Sequence, residues 1–415
     1  MRIFLAAVLA AALALSSAHA QPPSADWRTI ETPRFRIHHP VEATAWAQHV
    51  AARIEAIRDR VIAVVGHEPT QIVDVMIMDP AATANGSAWP FTGAPRMVLW
   101  TTPPASDAVI GHYGDWPTLL IAHEDVHLVH MLRERRGDGL GAQLDRLLPA
   151  GPITRRVPRW LIEGYATRLE GALTGWGRPN GDLRAAILRR WAQHGRLPRY
   201  DRVSSIGGPW RNGSMAYLAG SAFVEWLMMR AGGGAAGEDA ERALWARLTA
   251  VEARSFDDAF AGVYGAPPRA LYDRFRAELT YVALDLERQR RAEMPDPIGA
   301  DDGGGDILWQ DLSWTTGRPA LTPDGARLAI VLRAQNAPPR LVVWSTEDRT
   351  AADAQARREA IERLRARDPE DVPAVRRGPR ARTPLHVLPG RDGTSPHDPR
   401  WLPDGAALLF MRREP

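Results

Sequence analysis

Hydrophobic and polar residues follow two periods in the first part of the chain. Phe35 and Ile37 alternate with polar neighbours, which predicts a strand, and apolar residues then recur at helical spacing from Trp46 to Val65. Short apolar runs at residues 72–78 and 97–100, bounded by Pro, Gly and Asn, predict further strands. We therefore expect residues 21–114 to form a small mixed sheet with one long helix.

The pattern becomes mostly helical over residues 115–292. A helix is predicted from Asp115 to Arg136, because Asp115 can cap it and Pro117 suits its first turn. Further helices are predicted at 158–170, at 214–230, after Ser255 and at 268–291. The fold class expected for residues 21–292 is thus α+β, a small mixed sheet followed by a helical part.

The pattern changes again after a stretch rich in Pro, Gly and Asp at residues 293–306, which predicts a linker. Residues 319–329 and 399–409 each contain a Pro-Asp-Gly turn between apolar strands. These phrases resemble the blade repeats of TolB-like β-propellers. The resemblance implies an all-β region over 307–415, interrupted by a charged, solvated helix at 351–367.

A propeller closes with four to eight blades, and the roughly 110 residues after the linker supply two or three at most. We therefore expect an open, incomplete stack of sheets. Such a stack would belong to a longer chain or be completed by a protein partner.

The N-terminus has the pattern of a secretory signal. Arg2 is followed by an apolar run and by Ala18-His19-Ala20, which predicts cleavage before Gln21. The run of about 13 apolar residues is short for a bilayer span, so no stable membrane insertion is expected after cleavage. Residues 1–20 thus predict a periplasmic or secreted protein.

Composition limits the ligands and the kinds of metal site that the chain can have. The 52 basic residues, all of them Arg, nearly balance 49 acidic ones, and no basic stripe interleaved with aromatic residues predicts nucleic-acid binding. The chain contains no Cys, which excludes a lipid-modified Cys, disulfides, thiolate ligands and a Cys nucleophile. Any metal must therefore be held by His and carboxylate side chains.

Such side chains occur together in His123-Glu124-Asp125-Val126-His127, within the helix predicted from Asp115. The i, i+4 spacing places both imidazoles on one helix face, as in the HExxH zinc motif, and Glu124 lies where it can take a proton from a zinc-activated water. One Zn²⁺ per chain is expected here.

A second motif, Trp160-Leu-Ile-Glu-Gly-Tyr-Ala166, begins after His127 and contains Glu163. The two motifs together resemble the gluzincin metallopeptidases, the aminopeptidase N-like clan with its peptidase MA-like relatives. This resemblance implies Glu163 as the third zinc ligand and a peptide or protein substrate. Ile162 replaces the Asn of aminopeptidases, the motif spacing exceeds that of thermolysin-like enzymes, and no amine-binding Glu motif precedes the HExxH, so exopeptidase specificity stays open.

Other residues near these motifs have alternative roles. His130 lies about 10 Å along the axis from His123, too far to share one zinc, so packing or support is expected. Asp125 points away from the His face, as a solvated or helix-pairing carboxylate. Glu170 either orients a ligand His or lies on the surface.

Tyr217 occupies the position where relatives carry a Tyr that can donate to an oxyanion, and a core aromatic is the alternative. Residues 85–89 are either a plain turn or the loop that leads to an edge strand able to pair with an extended substrate backbone. Four histidines outside any ligand spacing are expected on the surface or in packing: His38, His39, His49 and His67.

The leading hypothesis is an exported zinc metallopeptidase. His123, His127 and Glu163 are its predicted metal ligands, and Glu124 and Tyr217 its catalytic residues. The alternative is a cell-envelope binding or assembly protein with a propeller interaction module and an inactive peptidase-like domain. Hydrolysis of a non-peptide bond by the same water chemistry is a third hypothesis.

Overall fold

The structure is a computed structural model that describes residues 25–80, 83–91, 93–105, 108–206, 214–293, 315–316, 318–333, 338–346, 359, 362–363, 366–367, 384–391 and 394–413. The chain divides into two units, residues 1–104 with 108–283, and residues 105–107 with 284–415. The predicted signal segment 1–20, residues 294–306 of the predicted linker and most of the predicted helix 351–367 lie outside the described residues.

A five-stranded mixed sheet begins the first unit. Its order is β1-β2-β3-β5-β4, parallel at β2-β3 and β3-β5 and antiparallel at both edges. The strands are β1 Trp27–Glu31, β2 Phe35–Pro40, β3 Val73–Met78, β4 Gly86–Trp89 and β5 Arg96–Trp100, with helix α1 at Thr44–Val65. Alternate residues of β3 are buried in the same core as the apolar face of α1. This confirms the predicted small mixed sheet with one long helix.

The residues that follow the sheet along the chain, up to Glu293, are mostly helical. The helices are α2 Trp116–Met131, α3 Leu140–Arg146, α4 Pro152–Arg156, α5 Arg159–Thr174, α6 Asp182–Gln193, α7 Ser214–Arg230, α8 Gly234–Leu248, α9 Phe256–Tyr264 and α10 Pro268–Glu293, with a short 3₁₀ turn at Arg178–Asn180. Helix α2 ends five residues before the predicted Arg136. Helix α5 continues past the predicted Glu170 until Gly175 adopts a left-handed conformation at φ 75°.

Helix α2 is buried on every side except at Thr118. Its first turn is held by Asp115, whose carboxylate accepts a hydrogen bond from the backbone N–H of Thr118 at 3.1 Å. A helix that is apolar all round belongs in a core, so the ionisable residues of α2 are surrounded by protein. The role of each of these residues therefore depends on the protein groups that it contacts.

Helices α5 and α7 touch through two glycines. A Cβ at Gly164 would lie 2.5 Å from the carbonyl carbon of Gly220, and a Cβ at Gly220 would lie 2.4 Å from the carbonyl oxygen of Trp160. No other residue allows the two backbones this close. The contact brings Tyr217 of α7 beside the residues of α5.

The second unit contains β-structure. Strands β6 Thr315–Thr316, β7 Ala320–Leu321, β8 Arg327–Arg333, β9 Arg340–Ser345 and β10 His386–Leu388 form one antiparallel sheet, and β11 Ser395–Trp401 pairs with β12 Leu408–Arg413. Both Pro-Asp-Gly phrases form the predicted turn, with Gly325 at φ 72° and Gly405 at φ 68°. The described strands establish repeated hairpins and leave the sheet open, and a propeller is not established by them.

Among the helices that the structure describes, none combines the length and the apolar character needed to cross a bilayer.

Candidate metal centre

Two histidines of α2 and one glutamate of α5 meet at one point. The imidazole centroids of His123 and His127 are 4.9 Å apart, and Oε2 of Glu163 lies 3.8 Å from Nε2 of His123 and 3.3 Å from Nε2 of His127. Donor atoms of a tetrahedral zinc site with bonds of about 2.0 to 2.2 Å are about 3.3 to 3.6 Å apart. The donor set and its spacing therefore fit a zinc ion, and the three residues are those expected from the sequence.

Electrostatics at this point favour a cation. Burial by itself lowers the pKa of His123, but the nearby carboxylates of Glu163 and Glu170 outweigh it and raise that pKa to about 9. Burial opposes ionisation of Glu163 as well, yet the two histidines hold the pKa of its carboxyl well below the usual range. The carboxylates thus stabilise positive charge between them, which a proton or a metal ion can provide.

A buried carboxylate fixes the first histidine from behind. Oε2 of Glu170 lies 2.9 Å from Nδ1 of His123, and the Glu170 side chain has no exposed surface. Of the two alternatives left open for Glu170, the structure favours the one that orients a ligand histidine. Within the described residues, Nδ1 of His127 has no such partner.

Arg178 completes this arrangement and was missed from the sequence. Its backbone N–H and its Nε–H donate to Oε1 of Glu170 at 2.9 and 3.0 Å, and its Nη2–H donates to Oε2 at 3.0 Å. Arg178 lies in the 3₁₀ turn after α5, outside any periodic pattern. Only its short distance along the chain from Glu170, across Gly175 and Gly177, could have indicated the pairing.

Glu124 lies beside an open pocket. Its side chain is buried next to His123 and His127, and burial raises the pKa of its carboxyl while the two histidines partly oppose that rise. The pocket has a volume of about 250 Å³. It is lined by Glu124 and His123, by apolar residues of the α2 region and by residues of α7 and the β4 edge, among them Gly86, Trp116, Leu120, Tyr217 and Leu218.

Tyr217 also faces this pocket, with a half-buried ring. The ring centroid lies 6.0 Å from that of His123, and the guanidinium carbons of Arg178 and Arg159 lie 4.6 and 5.1 Å from the Tyr217 centroid. Burial, together with the negative charge of Glu163, raises the pKa of Tyr217 to about 12. The phenol therefore keeps its proton and can donate a hydrogen bond, which the core-aromatic alternative did not anticipate.

An edge strand is present at the residues that were expected to form either a plain turn or the loop leading to such a strand. Residues Gly86–Trp89 form β4, which pairs with β5 and ends the sheet. A Cβ at Gly86 would lie 2.8 Å from Oε1 of Glu124 and 2.6 Å from Cδ1 of Leu120. The plain-turn alternative is therefore wrong, and the strand passes directly beside Glu124.

The other ionisable residues of α2 are structural. His130 is fully buried, with Nδ1 against the carbonyl of Val126 and its ring against Tyr165 and Trp245. Asp125 is also fully buried and accepts from Nε and Nη2 of Arg58 on α1, so it is a helix-pairing and not a solvated carboxylate.

Four histidines of the N-terminal part, His38, His39, His49 and His67, are not among the candidate ligands. His38 lies 3.3 Å from Asp74, and His49 lies 2.9 Å from Asp115. His39 is buried against its neighbouring carbonyl, and His67 is half-buried.

The sequence matches no family model and no curated protein. Among solved structures, native LTA4 hydrolase of yeast is similar at 15% identity and a TM-score of 0.37, over 60% of this chain and 38% of that one. An aminopeptidase N family protein from Idiomarina loihiensis is similar at 11% identity and a TM-score of 0.38, over 76% of this chain and 57% of that one. The chain spans less than two thirds of the length of each of these proteins, and the similarity is too low to assign a function. The site's own residues must carry the interpretation.

Proposed function

We propose that this chain is a zinc-dependent peptidase of the gluzincin type, in which His123, His127 and Glu163 bind one zinc ion. The observation that carries the proposal is the meeting of their three donor atoms, all within 4.8 Å of one another, beside a pocket that also contains Glu124. A zinc ion bound by these residues would supply a Lewis acid that polarises the scissile carbonyl and acidifies a water molecule.

The remaining chemistry belongs to the side chains. Glu124 accepts a proton from the attacking water and passes it to the nitrogen of the leaving amine, and its raised pKa suits a group that both takes and returns a proton. Tyr217 keeps its phenolic proton and donates to the oxyanion that develops on the carbonyl oxygen when water adds to the carbonyl carbon. Glu170 accepts from Nδ1–H of His123 and so holds Nε2 towards Glu163.

The substrate is a peptide or protein. Support comes from β4, an edge strand with which an extended backbone can pair and whose Gly86 lies beside Glu124. We also propose export with cleavage after Ala20. The repeated hairpins within residues 307–415 are further proposed to form a propeller-like arrangement. These two proposals rest on the sequence pattern and on the two matching Pro-Asp-Gly turns.

The test is cleavage of a peptide library and of a denatured protein by the purified chain, with metal analysis of the same sample. We expect about one zinc per chain, cleavage that a chelator abolishes and recovery when zinc is added back. Zinc binding without cleavage of any peptide would contradict the proposal and favour the envelope-binding alternative.

A further inference from the structure

Arg178 contacts the carboxylate of Glu170 through three hydrogen bonds. Three N–H groups of this one residue reach both carboxylate oxygens at 2.9 to 3.0 Å, and Oε2 also faces Nδ1 of His123 at 2.9 Å. Glu170 therefore cannot rotate about its last bond without breaking several of these contacts at once.

Burial makes these contacts necessary. The side chain of Glu170 is 0% exposed and that of Arg178 is 8% exposed. A buried carboxylate is costly unless it is paired and hydrogen-bonded, and Arg is suited to pairing because its planar fork matches the two oxygens. Arg178 thus stabilises Glu170 as a charged carboxylate next to Nδ1 of His123.

The turn that carries Arg178 is closed tightly against Glu170. Gly177 adopts φ 92°, and a Cβ there would lie 2.7 Å from Cγ and 2.8 Å from Oε1 of Glu170. Both the backbone conformation and the space require glycine at this position. The backbone N–H of Arg178 is consequently held at one place relative to the carboxylate.

We propose that Arg178 is a positioning residue of the metal centre, which acts through Glu170 to hold Nε2 of His123 towards the metal. The inference rests on the proposed function in that it needs a metal bound at His123, but it does not need peptidase activity. The contact of Arg178 with the ring of Tyr217, at 4.6 Å, means that the same side chain also limits where that phenol lies.

The test measures the dissociation constant of zinc alone, by competition with a chromophoric chelator at fixed pH, in the full chain. Partners that support a metal ligand change metal affinity by about 10- to 100-fold when removed. We expect Glu170→Gln to weaken zinc binding within this range and Arg178→Gln to weaken it about 10-fold. The double variant should bind zinc about as weakly as Glu170→Gln alone, because Arg178 acts through Glu170.

Arg168 offers a matched control. It is a buried arginine of α5 that pairs with the buried Glu241 and lies 5.7 Å from the centroid of the Tyr165 ring, so it too contacts one buried carboxylate and one tyrosine, and neither is a candidate ligand. We expect Arg168→Gln to lower thermal stability while the zinc dissociation constant stays within about twofold of the unmodified protein.

Two further variants keep the test decisive if Arg178→Gln does not fold. Arg178→Lys keeps the charge but loses the fork and should bind zinc with intermediate affinity. Gly177→Ala keeps Arg178 but displaces its turn, and should weaken zinc binding as well. Wild-type affinity in the folded Arg178 variants, or a double variant whose loss equals the product of the single losses, would overturn the inference. Tight zinc binding without cleavage would instead count against the proposed function alone.

Discussion

Two faces of helix α2 place neighbouring carboxylates in different environments. Asp125 is met by Arg58, whose Nε donates to both carboxylate oxygens at 2.9 Å, and neither side chain is exposed. Glu124, one residue earlier, lies beside the pocket and beside Gly86 of the edge strand. Consecutive residues of a helix point about 100° apart, so a single step along the chain separates an ion pair from a pocket.

The difference explains which carboxylate is available for chemistry. Several hydrogen bonds from a fixed arginine favour the ionised form of a carboxylate, so its protonation state should not change during a reaction. Burial raises the pKa of both carboxyls, but Glu124 also faces a pocket, where it can exchange protons with a substrate. We therefore assign proton transfer to Glu124 and helix pairing to Asp125.

The largest effect is expected from the metal ligands on the pocket face. His123→Ala, His127→Ala and Glu163→Ala each remove one of three donor atoms, so bound zinc and peptidase activity should both be lost at micromolar zinc. His130→Ala, about two turns further along the helix than His123, should keep its zinc because its Nδ1 faces the Val126 carbonyl. Metal analysis after gel filtration checks this, and equal zinc loss in the His130 and His123 variants would show that the ligand assignment is wrong.

Glu124→Gln should separate chemistry from metal binding. The amide has the shape of the carboxylate but cannot accept a proton, so activity should fall by about 10²- to 10⁴-fold or more while zinc content stays at one per chain. Peptide cleavage at graded zinc, beside metal analysis, is the measurement. Wild-type cleavage by zinc-loaded Glu124→Gln protein would rule out the proposed role of Glu124.

Asp125→Asn should affect stability and spare the chemistry. The change leaves the guanidinium of Arg58 buried without its charged partner, which typically costs about 3–5 kcal/mol of unfolding free energy. Urea unfolding measures the loss, and kcat per folded molecule should stay close to wild type. Replacing both partners, Arg58→Met with Asp125→Leu, is the control that should restore much of the stability. A fall in kcat as large as that of Glu124→Gln would erase the contrast between the two faces.

The sequence predicts the pocket face of α2 better than the packed face. His123 and His127 are four residues apart, and Asp115 and Pro117 mark the start of their helix, so local spacing is enough. The Asp125 partner could not be predicted, because Arg58 is 67 residues away on another helix. No local sequence pattern distinguishes Arg58, which pairs with Asp125, from the other arginines of the chain.

The same reason limits what could be known of Tyr217 and Arg178. Tyr217 reaches the site because Gly164 and Gly220 allow α5 and α7 to touch, a contact between glycines 56 residues apart. Arg178 depends on a glycine turn whose conformation has no periodic pattern. Helices such as α6 and α8 were expected only as part of a mostly helical region, since α8 begins with glycines that weaken the helical pattern.

The smallest predicted effect is a pH dependence that belongs to His130. Burial, with the positive charge of His127 adding to it, lowers the pKa of His130 to about 3, against about 6.5 in the unfolded chain. The fold therefore requires neutral His130, so the stability it contributes is complete above pH 6.5 and is lost as the pH falls towards 3. Between pH 7 and pH 5 this loss should be about 2 kcal/mol.

The His130→Phe variant isolates this contribution. Phenylalanine fills the site between Tyr165 and Trp245 but cannot be protonated, so its unfolding free energy should fall by about 2 kcal/mol less than that of the wild type between pH 7 and pH 5. Urea unfolding of the zinc-free protein at both pH values checks this. Because each protein is compared with itself across pH, the hydrogen bond that the variant loses to Val126 cancels from the difference. Equal losses in the two proteins would mean that the folded state can hold a protonated His130, and that the surroundings of His130 are less closed than its contacts indicate.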